Sequence, residues 1–196
     1  MIAVVDYRAG NLASVKKALD HIGAEVVVTE EPSVVERADK IVLPGVGHFS
    51  ATAILEQTGL GSAIVRRVER GVPFLGVCVG MQWMFEASEE APGVAGLGMF
   101  RGKCERFPES VKSPHVGWNS IACSEGSRLF RGIASGAFVY FTHSYRAPIV
   151  AATAARAEYG GEFSAAVEQG HVFGVQFHPE KSGATGLKLL ENFCAL

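Results

Sequence analysis

The chain has 196 residues, 48% of them apolar and 19% charged, with 18 Lys plus Arg against 20 Asp plus Glu for a formal charge of −2. That length suits one compact domain with a sizeable core, and the composition excludes a disordered chain. The charges are nearly balanced and scattered singly, which speaks against a general nucleic-acid binder, and no run of ~18 apolar residues exists to span a bilayer.

Met1–Asp6 lacks the basic start and longer apolar core of a signal peptide, so a cytoplasmic protein is expected. Within it, Ile2–Val5 is a continuous apolar run of the kind that makes a buried strand. Gly10-Asn11 follows as a turn and N-cap. Leu12, Val15, Leu19 and Ile22 then recur at helical spacing, and Gly23 closes that helix. Glu25–Thr29 and Lys40–Leu43 read as strands, and Pro44-Gly45-Val46-Gly47 as a loop. Residues 50–70 are mostly helical with a break near Gly59. Pro73–Val77 is a fourth buried strand. Val79–Ala87 is apolar nearly all round and reads as a buried helix. Strand and helix thus alternate over the first ~90 residues, which short links turn into parallel strands with crossover helices.

The second half changes character. Ala137–Phe141, Ile149–Ala154 and His171–Gln176 are short β-type runs among Gly, Pro and Ser, expected as antiparallel strands. Leu187, Leu190 and Phe193 mark a C-terminal helix. The fold class expected is α/β, an open, mostly parallel sheet flanked by helices with an antiparallel second half. Cys78, Cys104, Cys123 and Cys194 have no Cys-x-x-Cys spacing, so neither a zinc ribbon nor a disulfide framework is expected, and buried reduced thiol is the plain reading.

The strongest local signal is Gly76-Val77-Cys78-Val79-Gly80, where a buried strand runs into a helix. This is the thiol counterpart of the elbow that presents a serine in α/β-hydrolases. A nucleophile on a strained turn needs small neighbours, and the helix N-terminus behind it favours thiolate and offers the Val79 N–H to an oxyanion. A cysteine nucleophile also needs a proton acceptor. Of six histidines, His178 ends the short apolar strand Gly174–Phe177, and Glu180 is near enough to fix its tautomer. Glycines in Pro44-Gly45-Val46-Gly47 can free a second backbone donor. Taken alone, each segment also has a plain structural reading: a packed cysteine, a solvated turn, a β–α turn.

Together these segments resemble the class I, triad-type glutamine amidotransferases. Asp6-Tyr7-Arg8-Ala9-Gly10-Asn11-Leu12, Pro44 to Phe49, Gly76 to Gln82, His115-Val116-Gly117-Trp118-Asn119, Tyr140 to Tyr145 and Phe177 to Ser182 are, in order, similar to one branch: the glutaminase subunit of imidazole glycerol phosphate synthase, of histidine biosynthesis. The resemblance covers essentially the whole chain and implies a single, flavodoxin-like amidotransferase domain over residues 1–196. It implies that Cys78 attacks the glutamine carboxamide, that His178 moves the proton and that Glu180 orients His178. Val79 and the Val46-Gly47 peptide would stabilise the oxyanion. Gln82, Ser144, Tyr145 and, more weakly, Glu90 would bind glutamine. Asn11, Trp118, Tyr140 and Lys181 would face a separate (β/α)₈-barrel cyclase that receives the ammonia in a heterodimer.

No metal and no cofactor are expected; neither His-x-x-x-His nor a phosphate-binding glycine motif occurs. The Val46-Gly47 peptide is further expected to reorient when the partner binds. A glutaminase serving another synthase, such as pyridoxal phosphate synthase, would differ in the Pro-Gly loop and lack His-x-Gly-Trp-Asn. A scaffold without activity would have no reason to keep Cys78, His178 and Glu180 together. Three residues depart from the pattern. Arg8 stands where glycine is usual, so the turn there is expected to be shaped differently; Ser50 replaces a glycine, and Trp83 a smaller aliphatic residue.

Overall fold

A computed structural model describes residues 1–196. In chain order the elements are β1 Ile2–Val5, α1 Leu12–His21, β2 Val26–Thr29, α2 Pro32–Val35, β3 Lys40–Gly45, α3 Ala53–Gln57, α4 Leu60–Glu69, β4 Phe74–Cys78 and α5 Val79–Gln82. Then come β5 Phe85–Ser88, β6 Phe100–Arg106, β7 His115–Ser120, β8 Ala122–Cys123, β9 Phe138–His143, β10 Tyr145–Arg146, β11 Thr153–Glu158, β12 Glu162–Gln169, β13 Val172–Val175 and α6 Gly183–Cys194.

Eight strands form one sheet in the order β2-β1-β3-β4-β13-β12-β11-β8. From β2 to β13 all neighbours are parallel; from β13 to β8 all are antiparallel. The parallel part follows the flavodoxin-like order and the antiparallel part extends its far edge. Strands β1 and β4 are buried along their whole length, as their unbroken apolar runs require. Placing β13, the penultimate element, beside β4 brings two segments about a hundred residues apart to neighbouring positions, with Val77 opposite Val175. No helix is long and apolar enough to cross a membrane.

Several expectations need correction. The apolar run Val79–Ala87 is helical only to Gln82; Phe85–Ser88 is a strand paired with β6. The carbonyls of Trp83, Met84 and Phe85 accept from the N–H groups of Leu97, Phe100 and Gly98 rather than from a further helical turn. A short run that is apolar on every side has no period to tell helix from strand, so tertiary partners decide. Pro44-Gly45 belongs to β3 rather than to a loop, pairing with Val77 and Cys78. Asn11 takes the N-cap position of α1 without a side-chain cap bond. In Ile149–Ala154 only the last two residues are strand. Cys123 and Cys194 are half-buried rather than buried; all four cysteines are free.

The three departures are also accommodated. Arg8 keeps the left-handed turn, with φ 64°, and its N–H donates to Asp6 Oδ1 at 2.8 Å. That bond supports a backbone conformation which costs a non-glycine residue about 1–2 kcal/mol. Ser50 turns back on His48, its Oγ 2.8 Å from Nδ1. Trp83 is buried because its ring lies where Gly61 of α4 has no side chain; a Cβ there would meet Cζ2 at 3.3 Å.

Candidate active site

The carboxyl ends of β3, β4 and β13 lie side by side, and each delivers one part of the site. Strand β4 ends at Cys78, whose backbone has φ 55° and ψ −109°. Left-handed backbone is strained for a residue with a side chain, and such strain persists only where the surroundings dictate it. Here they do. A Cβ on Gly80 would sit 2.1 Å from the Leu43 carbonyl oxygen, and one on Gly76 would sit 2.5 Å from the Gly80 oxygen. The elbow is packed so tightly that glycine is required on both sides of the cysteine. Val79 is the first residue of α5, so its N–H has no acceptor within that helix.

Beyond β13, His178 continues the chain across from Cys78. Its N–H donates to the Tyr140 carbonyl at 2.9 Å, and Ser182 Oγ donates to its carbonyl at 2.7 Å. Its Nδ1 lies 2.8 Å from Glu180 Oε1, and both side chains are 1% exposed. Burial works to lower the His178 pKa, but the neighbouring Cys78 and the Glu180 carboxylate override it and raise the pKa from 6.5 to about 9. Cys78 Sγ meets Gln176 Nε2 at 3.6 Å and the Thr142 carbonyl at 4.0 Å, while His178 Nε2 and Glu180 Oε2 complete no hydrogen bond. Loose catalytic bonds of this kind are common in sites without substrate. Of four buried polar side-chain atoms without partners, two belong to this pair and a third is the hydroxyl of Tyr7, whose deprotonation is opposed by burial and by the charge of Cys78.

In front of Cys78 opens a pocket of about 220 Å³. Val46, Gly47, Val79, Gln82, Glu90, Ser144 and Tyr145 all line it, together with Pro114, Thr142 and His143. Gly47 has φ 112°, a conformation that needs glycine. Glu90 Oε2 accepts the Phe49 N–H at 2.7 Å, so a carboxylate in the pocket also holds the end of the Val46-Gly47 loop. Gln82 Nε2 donates to the Tyr145 carbonyl at 2.9 Å and to Gln176 Oε1 at 3.0 Å. Both amide hydrogens are spent, which leaves only its carbonyl oxygen for a ligand. A larger cavity, of about 550 Å³, lies by Trp83 and contains neither cysteine nor histidine.

Trp118, Tyr140 and Lys181 form a separate cluster on the outer surface. Trp118 faces Tyr140 across the β7–β9 pair, with ring centroids 6.1 Å apart, and Lys181 Nζ is 5.8 Å from the Tyr140 ring. Asn11 starts α1, which packs beside the Pro179–Lys181 turn. Trp118 is 55% exposed, Val116 55% and Phe138 58%, an apolar strip on one face of the ribbon.

Gln176 was not anticipated. It is fully buried, and its Nε2 lies 3.6 Å from Cys78 Sγ. An uncharged polar residue inside an apolar strand, two positions before His178, was the available signal. Such a residue must find a partner when buried, and here the partner is the candidate nucleophile.

Residues 3–196 match the family model of glutamine amidotransferase class-I. The chain is 48% identical over 198 residues to the imidazole glycerol phosphate synthase subunit HisH of Moorella thermoacetica, covering 98% of this chain and 93% of that one. It is 46% identical to the HisH subunit of Pyrococcus furiosus, over 98% of this chain and 97% of that one. Among solved structures, a glutamine amidotransferase crystal structure matches with a TM-score of 0.77 at 20% identity, over 99% of this chain and all of that one. The PurLQS structure from Thermotoga maritima matches with a TM-score of 0.77 at 21% identity, over 99% and 97%. At that identity the structural likeness concerns the fold.

Proposed function

The chain belongs to the class-I glutamine amidotransferase family, and from that premise we propose that it is the glutaminase subunit of an imidazole glycerol phosphate synthase in histidine biosynthesis. The reading is carried by one observation: a buried cysteine on a left-handed elbow ends the strand beside the one that leads to His178, and a buried carboxylate holds that histidine at 2.8 Å. That arrangement fits acyl transfer through a thioester.

The Cys78 sulfur gives its proton to His178 and attacks the side-chain carbonyl carbon of glutamine. The electron pair moves to oxygen, where the Val79 N–H and a donor from the Val46-Gly47 peptide stabilise the charge. As the oxyanion collapses, the carbon–nitrogen bond breaks and His178 gives its proton to the departing ammonia. A glutamyl thioester remains. Neutral His178 then takes a proton from water, the hydroxide adds to the thioester, and the sulfur leaves as glutamate forms. Glu180 holds His178 in the orientation both steps need. Glu90 offers a carboxylate for the substrate ammonium, with Gln82, Ser144 and Tyr145 around the rest. No cofactor takes part.

The partner in this reading is a barrel cyclase, into which the ammonia passes to make imidazole glycerol phosphate and aminoimidazole carboxamide ribotide. The strip around Trp118, with Tyr140, Lys181 and Asn11, is its contact face. Partner binding turns the Val46-Gly47 peptide so that it supplies the second donor; the loss of one such donor lowers rates by ~10²–10³. Residues 1–196 form one amidotransferase domain working in the cytoplasm. The test is glutamine hydrolysis with and without the cyclase subunit and its nucleotide. Wild type turns over glutamine and is strongly stimulated by both; absence of turnover in the assembled pair overturns the reading.

A further inference from the structure

We propose that His115 and His143 are positioning residues for glutamine binding, forming a one-way hydrogen-bond relay from Asn119 on the Trp118 ribbon to the Tyr145 carbonyl in the pocket wall. The inference rests on the glutaminase reading for its substrate, but its geometry stands by itself.

The direction of the relay follows from donors and acceptors. His143 Nδ1 lies 2.8 Å from the Tyr145 carbonyl oxygen, which only accepts, so Nδ1 carries the proton. In a neutral ring Nε2 is then bare. His115 Nδ1 lies 3.1 Å from that Nε2 and must donate to it. His115 Nε2 is bare in turn, with Asn119 Nδ2 at 3.5 Å, and the same amide is anchored on the Glu158 carbonyl at 2.9 Å. Both rings thus hold the Nδ1–H tautomer, the opposite of the one free histidine prefers. Burial lowers the pKa of His115 to about 4 and that of His143 to about 3, which keeps both neutral at neutral pH.

The rings cannot turn out of this register. His115 is sandwiched between Tyr159 and Phe141, with centroids at 4.0 and 4.8 Å and planes within 15° and 22°. His143 lies against the Phe107 ring at 5.0 Å and reaches the pocket surface. An aromatic core of this kind would pack as well without imidazoles, and buried polar groups are costly unless fully paired. The paired output falls on a carbonyl that Gln82 Nε2 also holds, at 2.9 Å. Two independent donors therefore fix the Ser144-Tyr145 backbone where substrate must fit.

His115→Phe keeps the stack but removes the donor to His143. His143→Gln keeps an acceptor near the Nε2 position but loses the bond to Tyr145. In the assembled enzyme, each is expected to raise KM for glutamine roughly tenfold, with kcat within about threefold of wild type. His115→Asn and His143→Asn, which put an amide N–H at the Nδ1 position, are expected to recover most of that loss. Nitrogen-15 NMR of the imidazoles in the unmodified chain, at pH 7, reads the relay without any variant or substrate. Both rings should show protonated Nδ1 and bare Nε2. Either ring protonated at Nε2 overturns the relay, as does a KM unmoved in the Phe and Gln variants. Wild type that fails to hydrolyse glutamine would instead overturn the glutaminase reading, and the NMR result would still decide the relay.

Discussion

Around Cys78 the backbone has no room to spare: Gly76, Gly80 and the end of β3 pass within a Cβ of one another, and the strained residue is held on every side. The β7–β9 ribbon across the pocket is built in another way. Its inner face carries a polar pair in an aromatic cage, and its outer face leaves Val116, Trp118 and Phe138 exposed. One region is shaped by steric exclusion and the other by directional bonds and an unfilled apolar surface. The first suits a group that must never move, and the second suits a wall and face that must answer to something outside the chain.

The difference can be broken most forcefully at the elbow. Cys78→Ala is expected to cut glutamine hydrolysis by roughly 10⁴-fold or more while leaving the fold intact, as steady-state rates and the melting temperature will show. Retained turnover would mean that the elbow is only packing. Next, Gly80→Ala forces a methyl against the Leu43 carbonyl and is expected to cost about 3 kcal/mol or more in denaturant unfolding. A neutral result would remove the steric argument.

The ribbon should behave oppositely. Trp118→Ala is expected to leave stability within about 0.5 kcal/mol, yet weaken cyclase binding by about 2 kcal/mol in a titration of the two subunits. Unchanged affinity would leave the strip without its partner.

The smallest effect concerns pH. His178 has a folded pKa above its ordinary 6.5, at about 9, so the stability this confers is full below 6.5 and lost as pH rises through about 9. The melting-temperature difference between wild type and His178→Gln should therefore shrink between pH 6.5 and 10. A constant difference would contradict the assigned interaction.

What was readable in advance divides along the same line. The elbow at Cys78 could be picked out because a strand, a tight turn and a helix start leave marks within ten residues, and the His178–Glu180 contact because the two are only two residues apart. The parallel pairing of the first four strands followed from short links between apolar runs. In Val79–Ala87, apolar character on all sides hid the change to a strand at Phe85. Strand β12 also left no clear alternation, because Phe163–Val167 are buried on both faces. Gln176 and the His115–His143 pair could not be placed from spacing: Gln176 meets Cys78 98 residues away, and the two histidines are 28 residues apart. Arg8 shows the limit of propensity, since the chain imposes the left-handed turn on a residue that disfavours it.

The most direct test is to quench the assembled enzyme with acid during turnover of glutamine and map the modified peptide by mass spectrometry. The account predicts a glutamyl thioester on Cys78 and on no other cysteine, absent in Cys78→Ala. Glutamine turnover with the adduct on a different residue, or undiminished turnover after Cys78 is replaced, would contradict it.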